Sequence, residues 1–169
     1  MDMEEAQLND YENTEINTDY EKFYDTFDPS FFRQLFLHIG IPAALANMTY
    51  FMYNNIRRRF KIGQHLGRPF QSNRGAGQGD TISTIGALSV TSIQFYVVQD
   101  EHPQVKTGSI IDDRNFRGPR AAVVEAVRTA LSYDKAAGLV NNLPKFVAIS
   151  NNKDDRAILR KTRFDGHVI

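Results

Sequence analysis

Two adjacent aspartates, Asp112 and Asp113, stand between two short β-prone runs, one ending at Ile110-Ile111 and the other at Arg117-Gly118. Neighbouring carboxylates repel each other and gain nothing in a core. The pair therefore belongs at the exposed tip of a hairpin, and the segment around it must fold as two strands and a tight turn. Aspartate is a common turn residue, so a plain polar turn accounts for the pair. A cation clamp accounts for it as well. Hard divalent ions such as Mg²⁺ take oxygen ligands, and a two-metal site needs carboxylates that bridge or share ions.

The rest of the chain supplies alternating strands and helices. Residues 1–13 are polar and acidic, with little to bury, and are expected to be a disordered tail. Residues 14–18 read as a short strand that delivers Asp19. Asp28-Pro29 is a helix start, Asp as cap and Pro at the first helical position. Phe32, Leu35, Phe36 and Ile39 then follow with helical spacing up to Gly40. Pro42 opens a second helix whose Leu45, Met48 and Met52 are expected in the core. Residues 56–62 and 66–71 suggest two strands joined through Gly63. A glycine-dense stretch, Arg74-Gly75-Ala76-Gly77-Gln78-Gly79-Asp80, opens a helix over 81–98. Its glycines match neither a Walker A loop nor a dinucleotide fingerprint. Pro119 starts the cleanest helix, with Val123, Ala126, Val127, Ala130 and Leu131 on one face and Gly138 at its end. Residues 146–149 read as a last strand. The pattern predicts an α+β layer fold in which helices pack on one face of a small sheet.

Charge adds a second constraint. The formal net charge is zero, but residues 1–28 are acidic with Lys22 as their only base, while bases gather at Arg57-Arg58-Arg59-Phe60-Lys61 and over 156–163. Arg57, Arg58, Arg59 and Lys61 fit either a solvated hairpin face or a strip that contacts nucleic-acid phosphates. The absence of cysteine excludes a disulfide scaffold and a cysteine zinc site, and an intracellular setting, nucleus or cytoplasm, is expected. No run approaches the roughly 18 apolar residues of a membrane span. His38, His65, His102 and His167 show no metal-ligand spacing.

Four motifs in order give the chain a resemblance. Asp19-Tyr20-Glu21-Lys22-Phe23-Tyr24-Asp25 is similar to Asp-x-x-Lys-Ala-Phe/Tyr-Asp. Gly75-Ala76-Gly77-Gln78-Gly79-Asp80-Thr81-Ile82-Ser83 is similar to Gly-x-Pro-Gln-Gly-Asp-Pro-Leu-Ser. Ile110-Ile111-Asp112-Asp113 is similar to Tyr-x-Asp-Asp, and Gly138-Leu139-Val140-Asn141-Asn142-Leu143-Pro144-Lys145 to Gly-Leu-x-x-Asn-x-x-Lys. Together they resemble the palm of reverse transcriptases, most like those of non-LTR retrotransposons and group II introns, over about residues 16–160.

The resemblance implies a polymerase palm, a ferredoxin-like split βαβ fold, over residues 14–160, with 161–169 as the truncated start of the next segment. It implies RNA-directed DNA synthesis with an RNA template, a DNA primer and dNTPs. Asp19, Asp112 and Asp113 would hold two Mg²⁺ ions, or Mn²⁺ in their place. Lys145 would stand near the triphosphate and assist proton transfer to pyrophosphate. Tyr24 would be the steric gate against a ribose 2′-hydroxyl, with Phe23 beside it and Gln78 and Gly79 lining the incoming nucleotide. Asp80 would order the loop or cap the following helix. The sequence departs from the family at Phe23, where a small residue is usual, at Gly77 and Thr81, which replace prolines, and at Ile110, which replaces an aromatic. The motifs leave no room for fingers and thumb, so the chain alone is expected to be weak or inactive, with adjoining polypeptide supplying both. Three alternatives remain: an RNA-dependent RNA polymerase palm, a non-catalytic remnant that binds nucleic acid or a partner, and an unrelated α+β domain in which the motifs arise by chance.

Overall fold

The computed structural model describes residues 13–72, 74–77 and 79–169; most of the expected acidic tail, Asn73 and Gln78 lie outside the described residues. The chain runs through β1 (Thr14–Thr18), α1 (Phe23–Thr26), α2 (Pro29–His38), α3 (Ala43–Asn54), and four two-residue strands, β2 (Arg57–Arg58), β3 (Lys61–Ile62), β4 (His65–Leu66) and β5 (Phe70–Gln71). It continues through α4 (Thr81–Glu101), β6 (Lys106–Ile110), β7 (Asp113–Gly118), α5 (Arg120–Ala136), a 3₁₀ turn at Leu143–Lys145, β8 (Val147–Ser150), α6 (Lys153–Leu159), β9 (Arg163–Phe164) and β10 (His167–Val168). The mixture of helices and antiparallel strands is an α+β fold, as the alternating pattern predicts. It divides into two compact units, one formed by the residues up to Glu21 with Thr91–Ile169, the other by Lys22–Val90.

The first unit is built on a four-stranded sheet in the order β6-β7-β1-β8. β1 is antiparallel to both neighbours, with Ile16 opposite Phe116 on one side and Ala148 on the other. Ile16 and Phe116 face α5, whose Val123, Ala126, Val127 and Ala130 close the core with Val98, Phe146, Leu159 and Phe164. This is the apolar stripe that the spacing in 119–138 predicts. Val147 and Ile149 point to the opposite face and stay half exposed. Asn13, the first described residue, is buried, and its N–H donates to Asn151 Oδ1 at 2.9 Å. The stretch after 153, read from sequence only as basic, contains α6 and the β9–β10 hairpin; Leu159 and Phe164 bury there in the same core.

In the second unit, α2 starts as expected: Asp28 caps it, accepting from the Ser30 N–H at 2.7 Å, and Pro29 occupies its first turn. Phe32, Leu35 and Phe36 are buried, while Ile39 is exposed. α3 departs from expectation. Leu45, Met48 and Met52 are exposed, and Ala46, Thr49 and Tyr53 are buried in their place. The two sets differ by one position, about 100° of rotation on a helix with 3.6 residues per turn. Nearly every face of α3 is apolar, so the pattern does not select a buried side, and the small Ala46 and Thr49 permit close packing.

α4 corrects a second expectation. It is 21 residues long, with a mean hydropathy of 1.4 over its most apolar window, and by length and composition could cross a membrane. Of that window 39% is buried, and Ile85, Leu88 and Tyr96 are exposed. Ala87, Val90 and Val98 are buried, as are the polar Ser83, Thr91 and Gln94. Within the second unit it presses on Phe32 through Gly86, where an added Cβ would fall 1.6 Å from Phe32 Cε1. The Phe32 ring cannot retreat, because Phe27 packs on it at 4.5 Å and Phe36 at 5.6 Å. Gly86→Ala is therefore expected to cost about 1–3 kcal/mol through overpacking. It would be read as a lower urea midpoint at unchanged slope, and an unshifted midpoint would contradict the close approach.

Candidate active site

Three segments of the sheet unit converge on one cleft. The hairpin β6–β7 pairs Ile110 with Asp113 and leaves Ile111 and Asp112 as its two-residue turn. Ile111 has φ 59°. Two-residue hairpin turns twist correctly only with positive φ, which a β-branched residue adopts at a cost. β1 runs beside β7 with Thr18 opposite Arg114. Extending that register by one residue sets Asp19 level with Asp113. The third segment follows α5: Asn142 N–H donates to the Asp19 carbonyl at 2.9 Å, and Glu21 N–H to the Val140 carbonyl at 2.8 Å. The 3₁₀ turn after it carries Lys145, whose Nζ lies 2.9 Å from Asp19 Oδ2.

Asp19, Ile110, Asp113, Arg114 and Lys145 line the resulting cleft of about 340 Å³. The Asp19 side chain is 15% exposed and that of Lys145 66%. Asp19 first, with smaller contributions from Asp113 and Asp112, holds the Lys145 ammonium above the usual lysine range. Lys145 is therefore charged at neutral pH and faces all three aspartates electrostatically. Among the described residues, no three His, Cys, Asp or Glu gather closely enough to hold a metal ion.

Beneath the cleft lies a polar cluster that the sequence reading missed. Arg114 follows Asp113 in β7 and is buried, as is Asp134 of α5; Arg114 Nη1 and Asp134 Oδ2 are 2.8 Å apart. Arg114 also donates to Gln94 Oε1 at 2.8 Å and to Asn141 Oδ1 at 2.6 Å. Gln94 Nε2 and Asn141 Nδ2 donate back to Asp134 at 2.6 and 2.9 Å. The Tyr20 hydroxyl donates to Asp134 Oδ1 at 2.7 Å, and its ring lies under the Arg114 guanidinium, 3.7 Å away. Burial pushes the Tyr20 phenol far above its ordinary pKa, so it remains a donor. Asp19 and Asp113, the two carboxylates lining the cleft, are thus each followed by a residue anchored in this cluster: Tyr20 after Asp19, Arg114 after Asp113. The signal for it was present in the sequence. Asp134 falls four positions after Ala130 on the apolar stripe of α5, where a lone charge needs a partner.

The other motif residues fall in the second unit. Phe23 is buried and packs edge-on against Phe27 at 4.7 Å and Tyr24 at 5.6 Å. Tyr24 is half-buried, and its carbonyl accepts from the Ala76 N–H at 2.8 Å, as the Phe27 carbonyl does from Gly75 at 2.7 Å. The aromatic segment and the glycine loop are therefore tied together by backbone bonds. Gly75 sits at φ 101°, and a Cβ there would meet Arg58 Nη2 at 2.7 Å and Asp25 Cα at 3.3 Å. Gly79 is exposed; Gln78 lies outside the described residues. Asp80 caps α4, accepting from the Ile82 N–H at 3.1 Å, and Tyr53 donates to its other oxygen. Arg58 pairs with Asp25 at 3.4 Å, while Arg57, Arg59 and Lys61 are exposed.

Solved structures with a similar fold include telomerases, which are reverse transcriptases. Telomerase from Candida tropicalis, in complex with a TWJ fragment of telomeric RNA, matches with a TM-score of 0.66 at 14% identity, over 84% of this chain and 26% of that one. The apo enzyme from the same organism truncated from its C-terminal domain gives 0.61 at 17% identity, over 87% and 32%. The untruncated apo enzyme gives 0.62 at 15% identity, over 83% and 29%. At such identities the likeness is one of fold, and the chain spans between about a quarter and a third of the length of these structures. No protein-family model and no curated protein matches the sequence.

Proposed function

We propose that the chain carries the nucleotidyl-transfer site of an RNA-directed DNA polymerase palm of the retroelement type, acting inside the cell on an RNA template and a DNA primer. The observation that carries this reading is the convergence of Asp19, the Asp112-Asp113 hairpin and Lys145 on one cleft, within a reverse-transcriptase-like fold.

The donor chemistry suits Mg²⁺. All three candidate ligands are carboxylates, and Asp19 Oδ2 is a buried oxygen that has no hydrogen-bond partner among the described residues beyond the Lys145 ammonium it faces. Asp19, Asp112 and Asp113 would hold the ions, which would supply positive charge at the primer 3′-hydroxyl and at the leaving pyrophosphate. Lys145, whose ammonium is held above the usual lysine range first by Asp19, would neutralise phosphate charge and hand over a proton. Tyr24, held by the glycine loop, would exclude a 2′-hydroxyl and so favour dNTPs. Gly79 and Gln78 would line the incoming nucleotide, and Arg57, Arg58, Arg59 and Lys61 would contact nucleic-acid phosphates. One observation favours the non-catalytic reading: the described residues gather no carboxylate trio around a cation position, and Lys145 occupies Asp19.

Primer extension on an RNA template with Mg²⁺ separates the readings. It would compare dNTPs with NTPs, using the chain alone and joined to fingers and thumb of a related polymerase. Extension with dNTPs that vanishes in Asp112→Ala is the expected result. Extension with NTPs would make it an RNA polymerase. No extension in the joined protein, together with no Mg²⁺ binding, would leave a nucleic-acid-binding remnant and overturn the catalytic assignment.

A further inference from the structure

The paired strands of residues 57–71 combine two features rarely spent together on a solvent-facing surface. The first is aromatic. Phe60 and Phe70 stack on each other, ring centroids 5.0 Å apart and planes 23° from parallel, yet Phe60 is 69% and Phe70 40% exposed. Two rings locked side by side in water leave much apolar area uncovered. The pairings of β2 with β5 and β3 with β4 hold them in place, as does the Gly67 N–H, which donates to the Phe60 carbonyl at 2.8 Å. The second feature is charge. Residues 56–79 contain Arg57, Arg58, Arg59, Lys61, Arg68 and Arg74 and not one aspartate or glutamate. Arg57, Arg59, Lys61 and Arg68 are exposed, while Arg58 is taken up by Asp25.

Exposed rings among unopposed cations are the chemistry of single-stranded nucleic-acid binding. Aromatic faces accept unpaired bases in a stack, and the arginines and lysine follow the phosphates. A duplex offers the phosphates but hides the base faces. An acidic peptide would answer the charges and leave the rings uncovered. We propose that the Phe60–Phe70 pair is a stacking platform for the bases of a single strand, with Arg57, Arg59, Lys61 and Arg68 as its phosphate contacts. The proposal goes beyond the phosphate strip of the function above, and rests on that reading only in taking the bound strand to be template.

Fluorescence anisotropy of the full chain with a labelled mixed-sequence RNA oligomer tests it. The same oligomer annealed to its complement, and its DNA equivalent, run in parallel. All are measured in EDTA, so that no metal-dependent step contributes. Single strands are expected to bind more tightly than the duplex. Phe60→Ala and Phe70→Ala should each weaken binding about 5- to 150-fold without changing the salt dependence. Phe60→Trp should retain it. Lys61→Gln should lower the slope of log affinity against log salt by about 0.7. Both phenylalanines are largely outside the core, so the variants should fold, which circular dichroism checks. Because the readout is strand binding in EDTA, its outcome is separate from that of the polymerase chemistry. Unchanged affinity in both alanine variants, equal binding of the duplex, or no binding of single strands would each overturn the proposal.

Discussion

Asp134→Ala is expected to destabilise the protein by about 3–5 kcal/mol, the cost of leaving a buried charge without its partner. Arg114 and Asp134 are almost wholly shielded from solvent, 1% and 0% exposed at the side chain. Removing Asp134 takes the ion-pair partner from Arg114 and the acceptor from Tyr20, Gln94 and Asn141 at once. Single domains hold only about 5–15 kcal/mol in total, so the loss would be a large share of it. Urea unfolding would show it as a midpoint drop. The companion Arg114→Met with Asp134→Leu should recover most of the loss, because apolar residues of similar volume often replace a buried pair at little cost. A single-variant loss below about 1 kcal/mol would mean that water reaches the pair. The effect should extend to function, since Tyr20 and Arg114 anchor the strand positions next to Asp19 and Asp113.

Asp19→Asn is expected to do the opposite: little to stability, much to chemistry. The side-chain partner of Asp19 is Lys145, whose own side chain is two-thirds exposed. Solvent-screened pairs are worth about 0–1 kcal/mol, so unfolding should barely shift. If the carboxylate positions cations in phosphoryl transfer, its loss forfeits several kcal/mol of transition-state stabilisation, on the order of 10³-fold in extension rate. The two aspartates therefore make a paired test: one should cost the fold and the other the reaction. An internal control is available by NMR titration. The Lys145 ammonium, held above its ordinary range first by Asp19, should fall back toward it in Asp19→Asn. Extension by Asp19→Asn at the unmodified rate would exclude Asp19 from the chemistry.

The sequence by itself determined what a few neighbouring residues settle among themselves. Asp28-Pro29 begins a helix, Asp112 occupies a turn, Pro119 and Gly138 bracket α5, and Asp80 caps α4, because caps, turns and apolar periodicity act within one or two turns of chain. The motif order likewise led to the cleft residues, which the fold brings together although they are far apart in the chain. Only the tertiary structure decided which side of a uniformly apolar helix is buried. Ala46, Thr49 and Tyr53 face inward in α3 because of what covers them, and no pattern within α3 encodes that. The same holds for the tail of the chain, where Leu159 and Phe164 become core residues through contact with distant segments. It holds most for Arg114, Asp134, Gln94 and Asn141. Each alone reads as a polar residue in an awkward place. Together they satisfy one another, because burying a charge is tolerable only when partners from separate elements arrive at hydrogen-bonding distance, and that arrival is a property of the folded chain.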